Sequence, residues 1–215
     1  MGHAALSGKR ILVTAGPTWV ALDDIRVISN ISTGALGLML AQKAAQQGAR
    51  VDLLLGPVEN TRVSANIKVT RFKFFNEFKT LLEACLKRTR YDVILHAAAV
   101  SDYLFLARPG KISSDNKSLF IKLARAPKLI DSMRRMNPGA CLVMFKLEAG
   151  VTDGVLIDRS RRSMKKSKAD LVVANRFKKG AYRGFILDQD KVSKLCLSRE
   201  SLSDRLFKII RQKRP

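Results

Sequence analysis

Ser32, Thr33, Gly34 and Gly37 lie in the run SNISTGALG, residues 29–37, directly ahead of a segment with helical period. Free N–H groups and the positive dipole end of a helix favour a phosphate at such a place. Hydroxyls add donors, and glycines let a ligand approach the backbone. A single helix cap needs neither two hydroxyls nor two spaced glycines, so the spacing predicts an anion site with Ser32, Gly34 and Gly37 in it. Four other segments carry chemistry. TAGPT, 14–18, is a small-residue turn that brings Gly16 close to any ligand. HAAAVSDY, 96–103, opens space with alanines, Ala98 among them, and supplies an acid, Asp102; His96 reads as a core histidine with no catalytic role. FKLE, 145–148, and the pair Ala174-Asn175 place Phe145, charges and an amide where apolar runs end. A basic run, Arg159, Arg161, Arg162, Lys165, Lys166 and Lys168, follows FKLE. On a helix, Arg162 and Lys166 share a face at i, i+4 and could grip a triphosphate.

These segments need a scaffold that gathers them. Apolar runs at 10–14, 50–55, 67–72, 92–99, 140–145 and 170–174 alternate with segments of helical period, the pattern of an α/β domain with a largely parallel sheet. Helices are expected at 34–47, with Leu36, Met39, Leu40 and Ala44 on one face, and at 76–88, where Phe78, Leu81, Leu82, Cys85 and Leu86 form an amphipathic stripe. Six strands with intervening helices predict a doubly wound, Rossmann-like fold, mostly parallel, with helices on both faces. After Asn175 the runs 184–188 and 192–197 predict a small antiparallel pair at the edge. A last helix carries Leu202, Leu206, Ile209 and Ile210, capped by Ser198 or Ser201. The aperiodic stretch 101–118 reads as a long functional loop or flap. In such a sheet ligands bind outside the carboxyl ends of the strands, where strand order reverses, and every segment named above falls at such an end.

At 215 residues the chain is expected to form one domain, 1–215. Hydrophobic residues at 47% and charged residues at 27% exclude general disorder. Cys85, Cys141 and Cys196 are too far apart for a metal knuckle and read as core thiols of a reducing compartment. The longest apolar runs fall short of the ~20 residues that span a bilayer, and no signal-like stretch opens the chain, which predicts a cytoplasmic protein without membrane contact. The formal net charge of +22 calls for an anionic partner. Nucleic acid is one candidate and a nucleoside triphosphate another.

Taken together and in order, VTAGPT at 13–18, LDDIRVISNISTGALG at 22–37, HAAAVSDY at 96–103, FKLE at 145–148 and DLVVAN at 170–175 resemble phosphopantothenoylcysteine synthetase. In many bacteria that ligase is the C-terminal half of a fusion with a flavin-dependent decarboxylase; here it reads as standing alone. The resemblance implies that the carboxylate of 4′-phosphopantothenate attacks the α-phosphate of CTP or ATP, releasing pyrophosphate. Cysteine then aminolyses the mixed anhydride. Magnesium is implied through the phosphates, with no protein metal site, and so is a homodimer in which one flap closes the partner's site. The family's catalytic asparagine matches Asn30 and its flap lysine Lys111. Its nucleotide positions match Gly16, Ser32, Gly34, Gly37, Ala98, Asp102, Phe145 and Asn175.

The chain also departs from the family. Val20 stands where an acid is common, and Ser113 and Ser114 stand where lysines follow the flap lysine. Nucleotide-contacting lysines expected before Asp170 fall on Ser163 and Ser167 without a gap, or on Arg162 and Lys166 with a one-residue shift, which is the alignment adopted. Two other function classes compete. A nicotinamide-dependent, NAD(P)-type reductase would need a G-x-G-x-x-G fingerprint, which does not follow the first strand. A nucleic-acid-binding protein would use the basic surface alone, and nonspecific nucleic-acid binding is all that is expected of it here.

Overall fold

The computed structural model describes residues 5–59, 62–105, 110–113, 115, 117–178 and 180–213. In chain order the elements are β1 (Arg10–Ala15), β2 (Trp19–Ala21), β3 (Val27–Ser29), α1 (Ala35–Gln46), β4 (Arg50–Leu55) and β5 (Ile67–Arg71). There follow α2 (Phe75–Arg88), β6 (Val93–His96), β7 (Tyr103–Leu104), β8 (Ala124–Arg125) and α3 (Leu129–Met136). The chain continues through β9 (Cys141–Glu148), α4 (Asp153–Ser167), β10 (Leu171–Lys178), β11 (Ala181–Leu187) and α5 (Arg199–Lys213).

Every residue of β1 after Arg10 is buried, and a strand buried on both faces belongs inside a parallel sheet. It sits there, in a sheet of order β11-β10-β9-β6-β1-β4-β5. All pairs are parallel except β10 with β11. The chain moves from β1 outward to β4 and β5, then returns to the other side of β1 with β6, so the order reverses between β1 and β6. Alternation along the strands sorts the core into two layers. Ile11, Val13, Leu53, Leu95 and Val173 pack under α1 and α5, through Leu40, Ala44, Leu202 and Leu206. Leu12, Leu54, Ile94, Leu142 and Val172 pack under α2, α3 and α4, through Phe78, Leu82, Met133 and Leu156.

The doubly wound, mostly parallel sheet is as expected, with differences that have physical causes. Among the described residues no helix separates β4 from β5. The run expected as a strand over 92–99 stops at His96, and Ala99 keeps only a single bridge to Pro17. Two strands run longer than expected: β9 extends to Glu148 and β10 to Lys178, because each supplies the other's ladder and β11 zips antiparallel onto β10. FKLE therefore forms the last four residues of β9, and Asn175 lies inside β10 rather than after it. The expected edge pair is only partly formed, since 192–197 meets β11 through isolated bridges at Val192 and Cys196. Ser198 caps α5 by accepting from the Ser201 N–H at 3.0 Å. The small hairpin β2/β3, the pair β7/β8 and the helix α3 were not expected.

Candidate active site

A cleft of about 680 Å³ opens over the carboxyl ends of β6, β9 and β10, beside the strand-order reversal and the start of α1. Gly34 precedes α1 with φ 68° and offers no side chain to cap it. Of the first-turn N–H groups, which no helix can satisfy internally, that of Ala35 donates to Thr33 Oγ1 at 3.4 Å, which leaves those of Leu36 and Gly37 for a ligand. Gly37 serves packing: a Cβ there would lie 2.5 Å from the Ala15 Cβ, so the helix start can press against β1 only without one. Gly16, with φ 80°, backs onto Gly56 and stands 3.3 Å, through its N, from where a Gly34 Cβ would be.

The segment after β6 is laced to the turn after β1. Thr14 Oγ1 lies 2.9 Å from His96 Nδ1 and accepts from the Ala98 N–H at 3.2 Å. Thr18 Oγ1 accepts from the Ser101 N–H at 2.9 Å. Asn30 spans the gap, donating from Nδ2 to the carbonyls of Ala99 and Val100 at 3.1 and 3.2 Å. His96 is half-buried against Phe78, and burial pushes its pKa down to about 4, which keeps the ring neutral at physiological pH.

Ser32, Gly34, Gly37, Ala98, Asp102, Phe145, Asn175 and Lys166 all line this one cleft. Gly16 stands behind its wall. Arg162 does not line it; the α4 residues that do are Ser163, Lys166 and Ser167, because a helix turns 163 and 167 toward the face that buries Met164 and Ser160. Asn30 is exposed beside the cleft mouth, held by the carbonyls just named. Lys111 is exposed on the flap, whose neighbouring backbone is pinned from below. The Gly110 N–H donates to Asp24 at 2.8 Å and the Ile112 N–H to Asp23 at 3.0 Å, while Arg26 donates to the Ile112 carbonyl at 2.6 Å. Arg26 and that amide hold the Asp23 carboxyl far below the usual carboxylate range. Ser113 is hydrogen-bonded to Asp115, and Ser114 lies outside the described residues. Val20 is 6% exposed beneath a mostly apolar hollow walled by Trp19, Phe74 and Phe120, with Lys122 also in its lining.

Sequence reasoning passed over Lys128, Tyr182 and Arg199 of the cleft, and named the charges of FKLE and Arg159 without pairing them. Lys128 pairs with Asp102 at 2.5 Å. Lys146 pairs with Glu148 at 3.1 Å, and Glu148 also takes Arg159 at 3.0 Å. Arg199 lies over the Phe177 ring, 5.6 Å from its centroid, beside Tyr182. No local motif marks Lys128, Tyr182 or Arg199; only the fold brings them to Asp102 and Asn175. The cleft thus holds four cations, Lys128, Lys146, Lys166 and Arg199, against two carboxylates, Asp102 and Asp131. An excess of positive charge next to the start of α1 suits a polyanionic ligand.

The comparisons point the same way. The family described as the DNA/pantothenate metabolism flavoprotein C-terminal domain matches residues 6–208. The chain is 36% identical over 174 residues to the coenzyme A biosynthesis bifunctional protein CoaBC of Thermococcus kodakarensis, covering 81% of this chain and 43% of that protein. It spans about half the length of the curated relatives it matches, 43% and 51% for the proteins of Thermococcus kodakarensis and Methanocaldococcus jannaschii. Among solved structures, the DNA/pantothenate metabolism flavoprotein from Streptococcus pneumoniae superposes with a TM-score of 0.86 at 25% identity, covering 96% of this chain and 100% of that one. A Cab2 mutant in complex with phosphopantothenate-cysteine shares the fold, with a TM-score of 0.80 at 18% identity, covering 95% and 86% of the two chains.

Proposed function

Because the chain belongs to the family of the DNA/pantothenate metabolism flavoprotein C-terminal domain, we propose that it is a cytoplasmic ligase that joins 4′-phosphopantothenate to cysteine. A carboxylate oxygen of phosphopantothenate attacks the α-phosphorus of a nucleoside triphosphate and pyrophosphate leaves. The amine of cysteine then attacks the acyl carbon, the nucleoside monophosphate leaves, and the amine gives up a proton. The observation that carries this reading is the convergence of Ser32, Gly34, Ala98, Asp102, Phe145, Lys166 and Asn175 on one cation-rich cleft. Two anions must meet in the first step, and their repulsion is relieved by fixed positive charge.

Asn30 steadies the acyl oxygen in this scheme. Its Nδ2 hydrogens are already directed at the Ala99 and Val100 carbonyls, so one of those bonds is exchanged for the acyl oxygen when substrate arrives. Lys111, carried by the flap over 101–118, neutralises the phosphate under attack. Gly16 and Gly37 shape the nucleotide side from behind, and Arg162 lies one position from the cleft-facing Ser163 on α4. Among the described residues no group of three or more His, Cys, Asp or Glu could hold a metal ion. Magnesium would accompany the nucleotide's phosphates and neutralise part of their charge. CTP and ATP both fit this reading.

The chain would work as one domain, 1–215, paired as a homodimer. The exposed apolar residues Ile25, Ile31 and Phe120, at 69%, 102% and 89% exposure, favour a second copy over solvent. No helix among the described residues is long and apolar enough to cross a membrane. The test is to omit cysteine and look by mass spectrometry for a phosphopantothenoyl nucleotidylate. Its accumulation with one nucleotide supports the ligase; nucleotide hydrolysis without an acyl adduct contradicts it.

A further inference from the structure

Lys146 sits inside β9, where its backbone carbonyl accepts from Asn175 Nδ2 at 3.2 Å and fixes its place in the cleft wall. Side chains alternate along the strand, so Leu142, Met144, Lys146 and Glu148 share one face. Leu142 and Met144 on that face pack with the α4 side of the core, and Glu148 reaches Arg159 of α4. Lys146 therefore faces α4. There the helix offers the cleft two small residues, Ser163 and Ser167, the latter with its Oγ 3.4 Å from the Met144 sulfur. Their size leaves room for a long cation from the strand, and the Lys146 side chain is 27% exposed.

We propose that Lys146 is a phosphate-binding residue of the cleft, taking the polyphosphate of the nucleotide, with Glu148 and Arg159 as the device that holds it ready. This rests on the ligase reading for the identity of the ligand. Glu148 carries two cations at once, with Lys146 at 3.1 Å and Arg159 at 3.0 Å. When a phosphate draws Lys146 away, Arg159 still pairs the carboxylate, so no partly buried charge is orphaned by the exchange. The other cleft cations lack that arrangement. Lys128 is the only cation that pairs with Asp102 among the described residues, and moving it would leave that carboxylate alone. Arg199 is committed to the Phe177 ring.

The test is ligand-induced thermal stabilisation by inorganic tripolyphosphate, followed by KM for CTP and ATP. Lys146→Met should weaken apparent tripolyphosphate affinity by about tenfold or more, the scale of a lost charge-assisted contact, and raise the nucleotide KM with little change in the KM for cysteine. Lys146→Arg should retain binding. Adding Ser163→Lys to Lys146→Met should recover most of the loss by supplying the charge from α4, which a merely structural role for Lys146 would not allow. Lys165→Ala, on the solvent side of α4, should bind as the parent does. Equal binding by the parent and Lys146→Met overturns the proposal, and so does a parent that binds no tripolyphosphate. If the parent binds tripolyphosphate through Lys146 but releases no pyrophosphate with phosphopantothenate, the ligase reading fails and the Lys146 assignment stands.

Discussion

The Asp23 carboxylate accepts the Ile112 N–H at 3.0 Å, joining the turn between β2 and β3 to the residue beside Lys111. Asp23 is 4% exposed and also accepts from the Ile25 and Arg26 N–H groups and the Arg26 guanidinium. One acid thus organises the hairpin and anchors the flap. Asp23→Asn removes the charge that both depend on and should speed tryptic cleavage after Lys111 in the native protein by roughly tenfold, the scale of a lost charge-assisted bond. Limited proteolysis read by mass spectrometry checks this; unchanged cleavage would show that the flap is held elsewhere. Because the folded pKa of Asp23 lies far below its ordinary 3.8, the stability it contributes is complete above that value. It drains away progressively as pH falls below that value toward the lowered folded one, so the flap of the parent should stay protected in mildly acidic buffer.

Gly37→Ala tests the packing of α1 on β1. The added Cβ would meet the Ala15 Cβ at 2.5 Å and the Ala15 Cα at 3.1 Å. Helix and strand backbones must part, at a cost of about 1–3 kcal/mol, and the first turn of α1 moves away from the cleft. Urea unfolding should show the loss, and nucleotide KM should rise with it. Wild-type stability in this variant would mean that the helix start is free to shift.

His96 gives a pH signature. Its folded pKa of about 4 lies below the ordinary 6.5, so the unfolded chain binds its proton more readily. Stability from this residue is complete above 6.5 and drains away as pH falls toward about 4. Over that window the parent should lose on the order of 2 kcal/mol more than His96→Gln. Parallel denaturant titrations check it. Equal losses in the two proteins would place His96 in a solvated site. Since the ring is neutral throughout the physiological range, activity near neutral pH should not follow its titration.

Much of the scaffold was readable because buried parallel strands are continuous apolar runs, and β1, β4 and β6 are unmistakable in that sense. The missed elements carry weaker signals. α3 is only eight residues long, although Leu129, Ile130, Met133 and Met136 recur at helical spacing and pack on the core, and β2, β3, β7 and β8 are too short to show alternation. β9 and β10 outran their apolar runs because ladder bonds between neighbours stabilise polar residues that propensity would end. The site was legible where chemistry is local, as in the hydroxyls and glycines ahead of α1. It was not legible where partners lie far apart in the chain: Asp102 with Lys128, or Arg199 over Phe177. On α4 the basic run was visible, but which of its residues face the cleft depended on the helix phase set by Met164 and Leu156.

The central claim is tested most directly by pyrophosphate release from the purified protein with magnesium and 4′-phosphopantothenate, with CTP and ATP side by side, with and without cysteine. The account predicts release that requires phosphopantothenate, favours one nucleotide, and falls by about a hundredfold or more in Asn30→Ala and in Lys111→Ala, the scale of a lost transition-state contact. Release that ignores phosphopantothenate, or that survives both substitutions, would contradict it.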